Sequence, residues 1–206
     1  MMKTDRRVQF TKGNLNNHIG VPLTLLSIDQ DTDFAIIEMG ANHLGEIAEL
    51  CALAQPTHGL VTNIGSAHIG EFGGQESIIR AKSELLDYLR KTDGTPFFNM
   101  EDDVLANMQR RFPQAPKYPN ELCALVSAAP FVHYSDAQGD THTTEMVGAY
   151  NFSNIAAAIT VGNYFEVEDP YAAIDGYIAD NNRSQLLQLE SNTVILDAYN
   201  ANPDSI

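Results

Sequence analysis

The chain has 206 residues, with Lys+Arg 12 against Asp+Glu 27 and a formal net charge of −15 at pH 7. That length holds one sizeable domain or two small ones, and 44% hydrophobic with 19% charged residues excludes a wholly disordered chain. So acidic a surface repels phosphate backbones and argues against a nucleic-acid partner; a small phosphorylated ligand would need a metal ion or local dipoles to offset the field.

No apolar run approaches the ~18 residues of a membrane span. The opening MMKTDRRVQF has basic residues but no apolar core after them, so it is no secretory signal. Two cysteines, Cys51 and Cys123, make no disulfide framework. The expectation is a cytoplasmic protein with no membrane partner.

In chain order, residues 34–37 (FAII) form a short continuous apolar run, as in a strand buried on both faces. Residues 46–54 (EIAELCALA) read as a helix between Gly45 and Pro56, and residues 59–62 as the next strand. A long helical pattern over 75–90 stops at Asp93-Gly94; residues 95–99 (TPFFN) read as a strand and 102–112 as a helix. Strand and helix alternating in this way predict an α/β fold, a mostly parallel sheet flanked by helices.

Between 113 and 148 the texture changes. Pro113, Pro116, Pro119 and Pro130 break any long helix, and residues 132–134 and 141–146 read as short strands around a turn at 138–140. This stretch is expected to be a small β-rich insertion. Helical texture returns over 151–161 and again over 170–179, where Pro170 suits a first turn. Residues 193–196 read as a last apolar strand ending in Asp197.

Ligands of open parallel sheets bind outside the carboxyl ends of the strands. Glu38 follows one strand end and His68 another, so the two are candidates to face one crevice and to hold a divalent cation; the plainer alternative is a capping carboxylate and a surface histidine. Lys82 falls amid the apolar positions Ile78, Ile79, Leu85, Leu86 and Leu89 of its helix. A buried lysine is driven towards the neutral amine, which is nucleophilic and reacts with carbon dioxide to give an anionic carbamate; otherwise Lys82 snorkels from the stripe's edge.

Residues 13–22 (GNLNNHIGVP), dense in amides and glycines, read as a loop offering donors to a polar ligand or as a solvated connector. Asn151 and Asn154, three apart at the opening of a helix, face one way and suit a purine edge, with helix capping the alternative for Asn151. Arg183 in a loop suits a ribose or phosphate, and Asp197 suits ribose hydroxyls.

Six segments together resemble the Mur ligase family: GNLNNHIGVPLTLL (13–26), EMGANHLGEIAEL (38–50), NIGSAHIGEFGG (63–74), AKSEL (81–85), GAYNFSNIAAA (148–158) and DAYNANPDS (197–205). The NNHIGVP, EMGANH and DAYNANP stretches resemble the branch that adds D-alanyl-D-alanine to a UDP-N-acetylmuramoyl tripeptide. The resemblance implies a P-loop NTPase-like central domain in a cytoplasmic, monomeric enzyme of peptidoglycan synthesis. The peptide carboxylate would take the γ-phosphoryl group of ATP, and the incoming amine would displace phosphate from the resulting acyl phosphate.

By the same resemblance, Glu38 and His68 would bind Mg²⁺, and Lys82, as a carbamate, would support the metal and act with His68 in catalysis. Asn151 and Asn154 would contact adenine, Arg183 and Asp197 the ribose or phosphate side, and Asn16, Asn17, Asn42 and His43 the UDP-substrate and reacting phosphate.

The sequence departs from the family pattern in places. The glycine-rich GTxGKT phosphate loop does not occur in these 206 residues, and Tyr150 and Gly70 stand where histidine and an acidic residue are usual. The expectation is therefore an incomplete central domain over 1–206, without the phosphate loop, the N-terminal UDP-binding domain or the C-terminal domain. A folylpolyglutamate synthase-like ligase, a non-catalytic adenine-nucleotide-binding module and a metal-dependent hydrolase are the competing readings. The 206-residue polypeptide alone is expected to show negligible phosphate release dependent on ATP and D-alanyl-D-alanine, checked by a phosphate assay on pure protein.

Overall fold

The computed structural model describes residues 1–4, 6–65, 74–178 and 185–196. The chain divides into two compact units, one of Met2–Phe98 with Asp102–Pro116, the other of Met1, Asn99–Glu101 and Lys117–Ile206. Among the described residues, no helix is long and apolar enough to cross a membrane.

The first unit is built on two β-α-β passages. Strand β1 (Val8–Phe10), helix α1 (Gly20–Leu26) and strand β2 (Phe34–Ile36) form one, with β1 and β2 parallel and Val8 opposite Phe34. Helix α2 (Glu46–Ala54) leads to the other: β3 (His58–Val61), α3 (Gln75–Lys91) and β4 (Thr95–Asn99), with β3 and β4 parallel and His58 opposite Thr95. Helix α4 (Asp103–Gln109) follows.

Val21 of α1 and Ile47, Leu50 and Cys51 of α2 form a buried cluster, against which Ile37, Met39, Leu85 and Tyr88 pack. Burying a side chain of Val or Leu size contributes roughly 1.5–3 kcal/mol, so this cluster is what fixes α1, α2 and α3 together. Leu89 of α3 is buried against β3 at Gly59, where an added Cβ would lie 2.8 Å from Leu89 Cδ1. A side chain at 59 would force the ends of the Leu85 and Leu89 side chains to shift.

The α/β architecture with parallel pairs flanked by helices agrees with the sequence reading, while several local expectations need correction. The loop over 13–22 gives way at Gly20 to α1, whose seven residues are too few to show a clear period; Pro22 is tolerated because it lies in the first turn. Strand β2 is not buried on both faces: Ile36 is 51% exposed, because β2 pairs with the three-residue β1 and packs its continuation, Ile37 and Met39, against the core instead. The helix expected over 102–112 spans only Asp103–Gln109, with Asp102 as its cap.

Lys82 is not in the middle of the buried stripe of α3. The stripe is Ile78, Ala81, Leu86 and Leu89, and Lys82 flanks it, half-buried. The small Ala81 takes the central position, and the longer side chain reaches out beside it.

In the second unit, β5 (Lys117–Tyr118) precedes an antiparallel sheet of β6 (Cys123–Ser127), β7 (His133–Asp136) and β8 (Thr141–Thr143). Helix α5 (Tyr150–Tyr164) buries Phe152, Ile155, Ala156 and Ile159. Helix α6 runs only over Pro170–Asp175, shorter than the expected 170–179, because the chain turns at Gly176, whose N–H closes on Ala172. The last strand is β10 (Asn192–Leu196), which pairs antiparallel with β9 (Gln185–Leu189), a hairpin the sequence reading did not foresee.

One polar cluster ties β7, β8 and α6. The His142 ring packs against both Tyr134 and Tyr171, with centroids 4.9 and 5.2 Å away, and the two tyrosine rings lie 6.5 Å from each other. Its Nδ1 is 2.6 Å from Asp175 Oδ2 and its Nε2 3.4 Å from Asp136 Oδ2, while the Tyr134 hydroxyl donates to Asp175 Oδ1 at 3.0 Å. Burial alone would push the imidazole pKa down, but its hydrogen bonds to the two carboxylates and their charges outweigh burial, and the net direction is up from 6.5.

A raised folded-state pKa means stabilisation that is complete below the unfolded value and lost as pH climbs through the folded one. His142→Ala is therefore expected to cost about 1.5–3 kcal/mol below pH 6.5. Urea unfolding should show the gap to the native chain narrowing as pH rises above that value.

Candidate functional site

A cavity of about 560 Å³ opens in the first unit beyond β2. Its rim carries Asn16, Asn17, Asn42, Glu46 and Lys82, and its floor is apolar, with Met39, Leu50 and Ile78 among the lining residues.

The rim is pre-set by hydrogen bonds. Asn16 Nδ2 donates to Glu38 Oε1 at 2.8 Å, and the Asn16 carbonyl accepts from Gly40 N–H at 2.8 Å. The fit at Gly40 is close: an added Cβ would lie 3.0 Å from Asn16 Nδ2, and the Asn16 side chain would have to give by a few tenths of an ångström. Thr11 Oγ1 accepts from the Glu38 N–H at 2.9 Å. Asn17 Oδ1 accepts from Ile19 and Gly20 N–H at 3.1 and 2.9 Å, so this amide starts α1 as well as lining the cavity.

The loop of Asn42 and His43 is held from α2. Glu46 Oε2 accepts from both their N–H groups, at 2.7 and 3.1 Å, and Oε1 lies 3.3 Å from His43 Nδ1. The Asn42 hydrogen bond leads the causes that draw the Glu46 carboxyl below its ordinary pKa. Gly45, at φ 93°, takes the left-handed conformation that begins α2. The Gly45 and Ala48 N–H groups donate to Glu84 of α3, at 2.7 and 3.0 Å.

Lys82 reaches the exit of β3, where its Nζ donates to the Asn63 carbonyl at 2.7 Å. The next N–H, of Ile64, donates to Asp102 Oδ2 at 2.6 Å, while Asp102 Oδ1 caps α4 by accepting from Val104 and Leu105 at 3.0 Å each.

Of the residues singled out from sequence, the cavity gathers Asn16, Asn17, Asn42 and Lys82. Glu38 adjoins it through Asn16, and His43 stands beside it with its side chain largely exposed. His68, Arg183 and Asp197 lie outside the described residues. Among the described residues, no group of three or more His, Cys, Asp or Glu side chains is arranged to hold a metal ion.

In the second unit, Asn154 Nδ2 donates to Asn151 Oδ1 at 3.2 Å, and Asn151 Nδ2 donates to the Val147 carbonyl at 2.8 Å. Asn151 does not cap α5; Ala149 holds the cap position. Sequence reasoning missed Glu46, Glu84 and Asp102. A Glu at a helix start is a readable signal for the first, whereas Glu84 and Asp102 act across long sequence separations that leave no periodic trace.

Residues 1–162 match the model of the Mur ligase middle domain. The chain belongs to the Mur ligases.

Relatives of this Mur ligase chain include the UDP-N-acetylmuramoyl-tripeptide–D-alanyl-D-alanine ligases of Bacillus subtilis, 33% identical over 100% of this chain and 47% of that protein, and of Haemophilus influenzae, 34% identical over 97% and 46%. A crystal structure of MurF from Acinetobacter baumannii superposes with TM-score 0.84 at 29% identity, over 99% of this chain and 47% of that one. MurF ligase from Thermotoga maritima, solved in complex with ADP, shares the fold, with TM-score 0.85 at 23% identity over 99% and 50%. The chain spans about half the length of the curated relatives it matches.

In this Mur ligase chain the start of α2 depends on Glu84. Glu84→Ala leaves two N–H groups without their acceptor and is expected to lower stability by about 1–2 kcal/mol, read by urea unfolding.

Proposed function

We propose that this chain carries the middle-domain chemistry of an ATP-dependent ligase that joins D-alanyl-D-alanine to a UDP-N-acetylmuramoyl tripeptide, a cytoplasmic step of peptidoglycan synthesis. The observation that carries this reading is the cavity, onto which three separate family-like segments converge: NNHIGVP through Asn16 and Asn17, EMGANH through Asn42, and AKSEL through Lys82. The names of the relatives from Bacillus subtilis and Haemophilus influenzae support the choice of substrates.

Glu38 offers a donor of the kind a magnesium ion takes. Glu38 is exposed, a hard carboxylate whose Oε1 is oriented by Asn16, and Mg²⁺ needs only one or two protein oxygens because it keeps several waters. Glu38 and His68 would hold it, and when bound it neutralises charge on the transferring phosphoryl group. The amides of Asn16, Asn17 and Asn42, which line the cavity, bind and orient the UDP-substrate, and His43 serves the reacting phosphate. Lys82, as a carbamate, presents an anion to the metal side of the cavity and acts there with His68. Asn151 and Asn154 bind adenine, and Arg183 and Asp197 the ribose or phosphate side.

The substrate carboxylate attacks the γ-phosphorus of ATP and ADP leaves; the amine of D-alanyl-D-alanine then attacks the acyl carbon, and inorganic phosphate leaves as the amide forms. Holding the reactants in line is the larger part of such catalysis.

Titrating the isotopically labelled chain with the UDP-N-acetylmuramoyl tripeptide should shift the amide resonances of Asn16, Asn17 and Asn42, and Asn16→Ala should weaken binding about tenfold. Shifts with folate in place of the tripeptide would overturn the reading. In bicarbonate labelled with ¹³C, a carbamate resonance should appear and vanish in Lys82→Arg.

A further inference from the structure

Lys82 and Asp102 grip the same peptide unit. The Asn63 carbonyl takes the Lys82 Nζ hydrogen bond at 2.7 Å, and the N–H of that same unit, on Ile64, goes to Asp102 Oδ2 at 2.6 Å. A trans peptide is planar and rigid, with its C=O and N–H pointing in opposite directions. Fixing one therefore aims the other. Both bonds are charge-assisted, a cation on the oxygen and an anion on the N–H, and each polarises the amide in the sense that strengthens the other.

The two grips come from different helices, and those helices are braced. Lys82 stands on α3, and Asp102 spends its second oxygen on capping α4. Arg111, just beyond α4, donates to Asp87 Oδ1 of α3 at 2.7 Å, and Ser83 Oγ of α3 lies 3.6 Å from Met108 Sδ of α4. The peptide so held follows directly on the carboxyl end of β3, just ahead of His68 in the chain.

We propose that Asp102 is a positioning residue for Lys82. By holding the Ile64 N–H, it aims the Asn63 carbonyl, and that carbonyl directs the Lys82 nitrogen at the cavity rim. A carbamylated Lys82 keeps one N–H, which the same carbonyl takes up, so the arrangement sets the carbamate's direction too. This role rests on the reading of Lys82 given under the proposed function.

The test uses Asp102→Asn and Asp102→Ser in the labelled 206-residue chain, in buffer free of carbon dioxide. Asn and Ser both cap helices, so either can serve Val104 and Leu105 through one oxygen, leaving Ile64 without its acceptor. Hydrogen exchange at the Ile64 amide is expected to rise about tenfold or more, exchange at Val104 and Leu105 to stay near the native rate, and the Lys82 ε-methylene resonances to move. Unchanged Ile64 exchange in both variants overturns the clamp. Faster Ile64 exchange with the Lys82 resonances in place overturns the link to Lys82. Because no carbamate forms under these conditions, failure of the carbamate reading registers only in the bicarbonate experiment.

Discussion

The N–H groups at the start of a helix have no partner within the helix, and at the starts of α1, α2, α4 and α6 acidic and amide side chains take some of them up. Glu84 serves the start of α2 from 39 residues away in sequence. Asp102 serves α4, Asp169 serves α6 through Ala172, and Asn17 serves α1. Each such bond offsets the cost of desolvating a backbone donor and places a negative or partial negative charge at the positive end of a helix dipole. The acidic side chains are thus internal fasteners as well as surface charge.

The same fasteners shape the cavity rim. The loops that follow β2 and β3 would otherwise be loose connectors at strand ends. Glu46 holds the first by Asn42 and His43, and Asp102 holds the second by Ile64. Asn16 bridges from the loop before α1 to Glu38 after β2. Orientation at such a site is therefore already present before any ligand arrives, and pre-organisation of this kind lowers the cost of binding.

Elements with a strong local signal were legible in the sequence. Glu46–Ala54 and Thr95–Asn99 have the bounds that their apolar pattern and flanking breakers indicate. Helix α1 was not legible, because its seven residues include Gly20 and Pro22 and its start depends on the Asn17 side chain. The shortness of α6 follows from a turn at Gly176 that apolar periodicity does not register. Asn16, Asn17 and Asn42 were readable as substrate-side residues and Lys82 as a metal-side residue from segment likeness, and the four line one cavity. Glu84 and Asp102 were not, since their partners are backbone N–H groups, which carry no side-chain identity to read. The β9–β10 hairpin was hidden because its two-residue connection, Glu190-Ser191, is not a dipeptide that announces a tight turn.

Both thiols sit inside the molecule. Cys51 is packed in the α1–α2 cluster beside Met39, Cys123 is buried at the start of β6, and burial first, with a nearby carboxylate second, pushes each up to about 11. At neutral pH about one thiol in ten thousand is then ionised. Buried and held as thiols, the two native cysteines offer little thiolate to maleimide and iodoacetamide reagents, so a cysteine engineered onto the surface would be the preferred handle for a fluorophore or spin label.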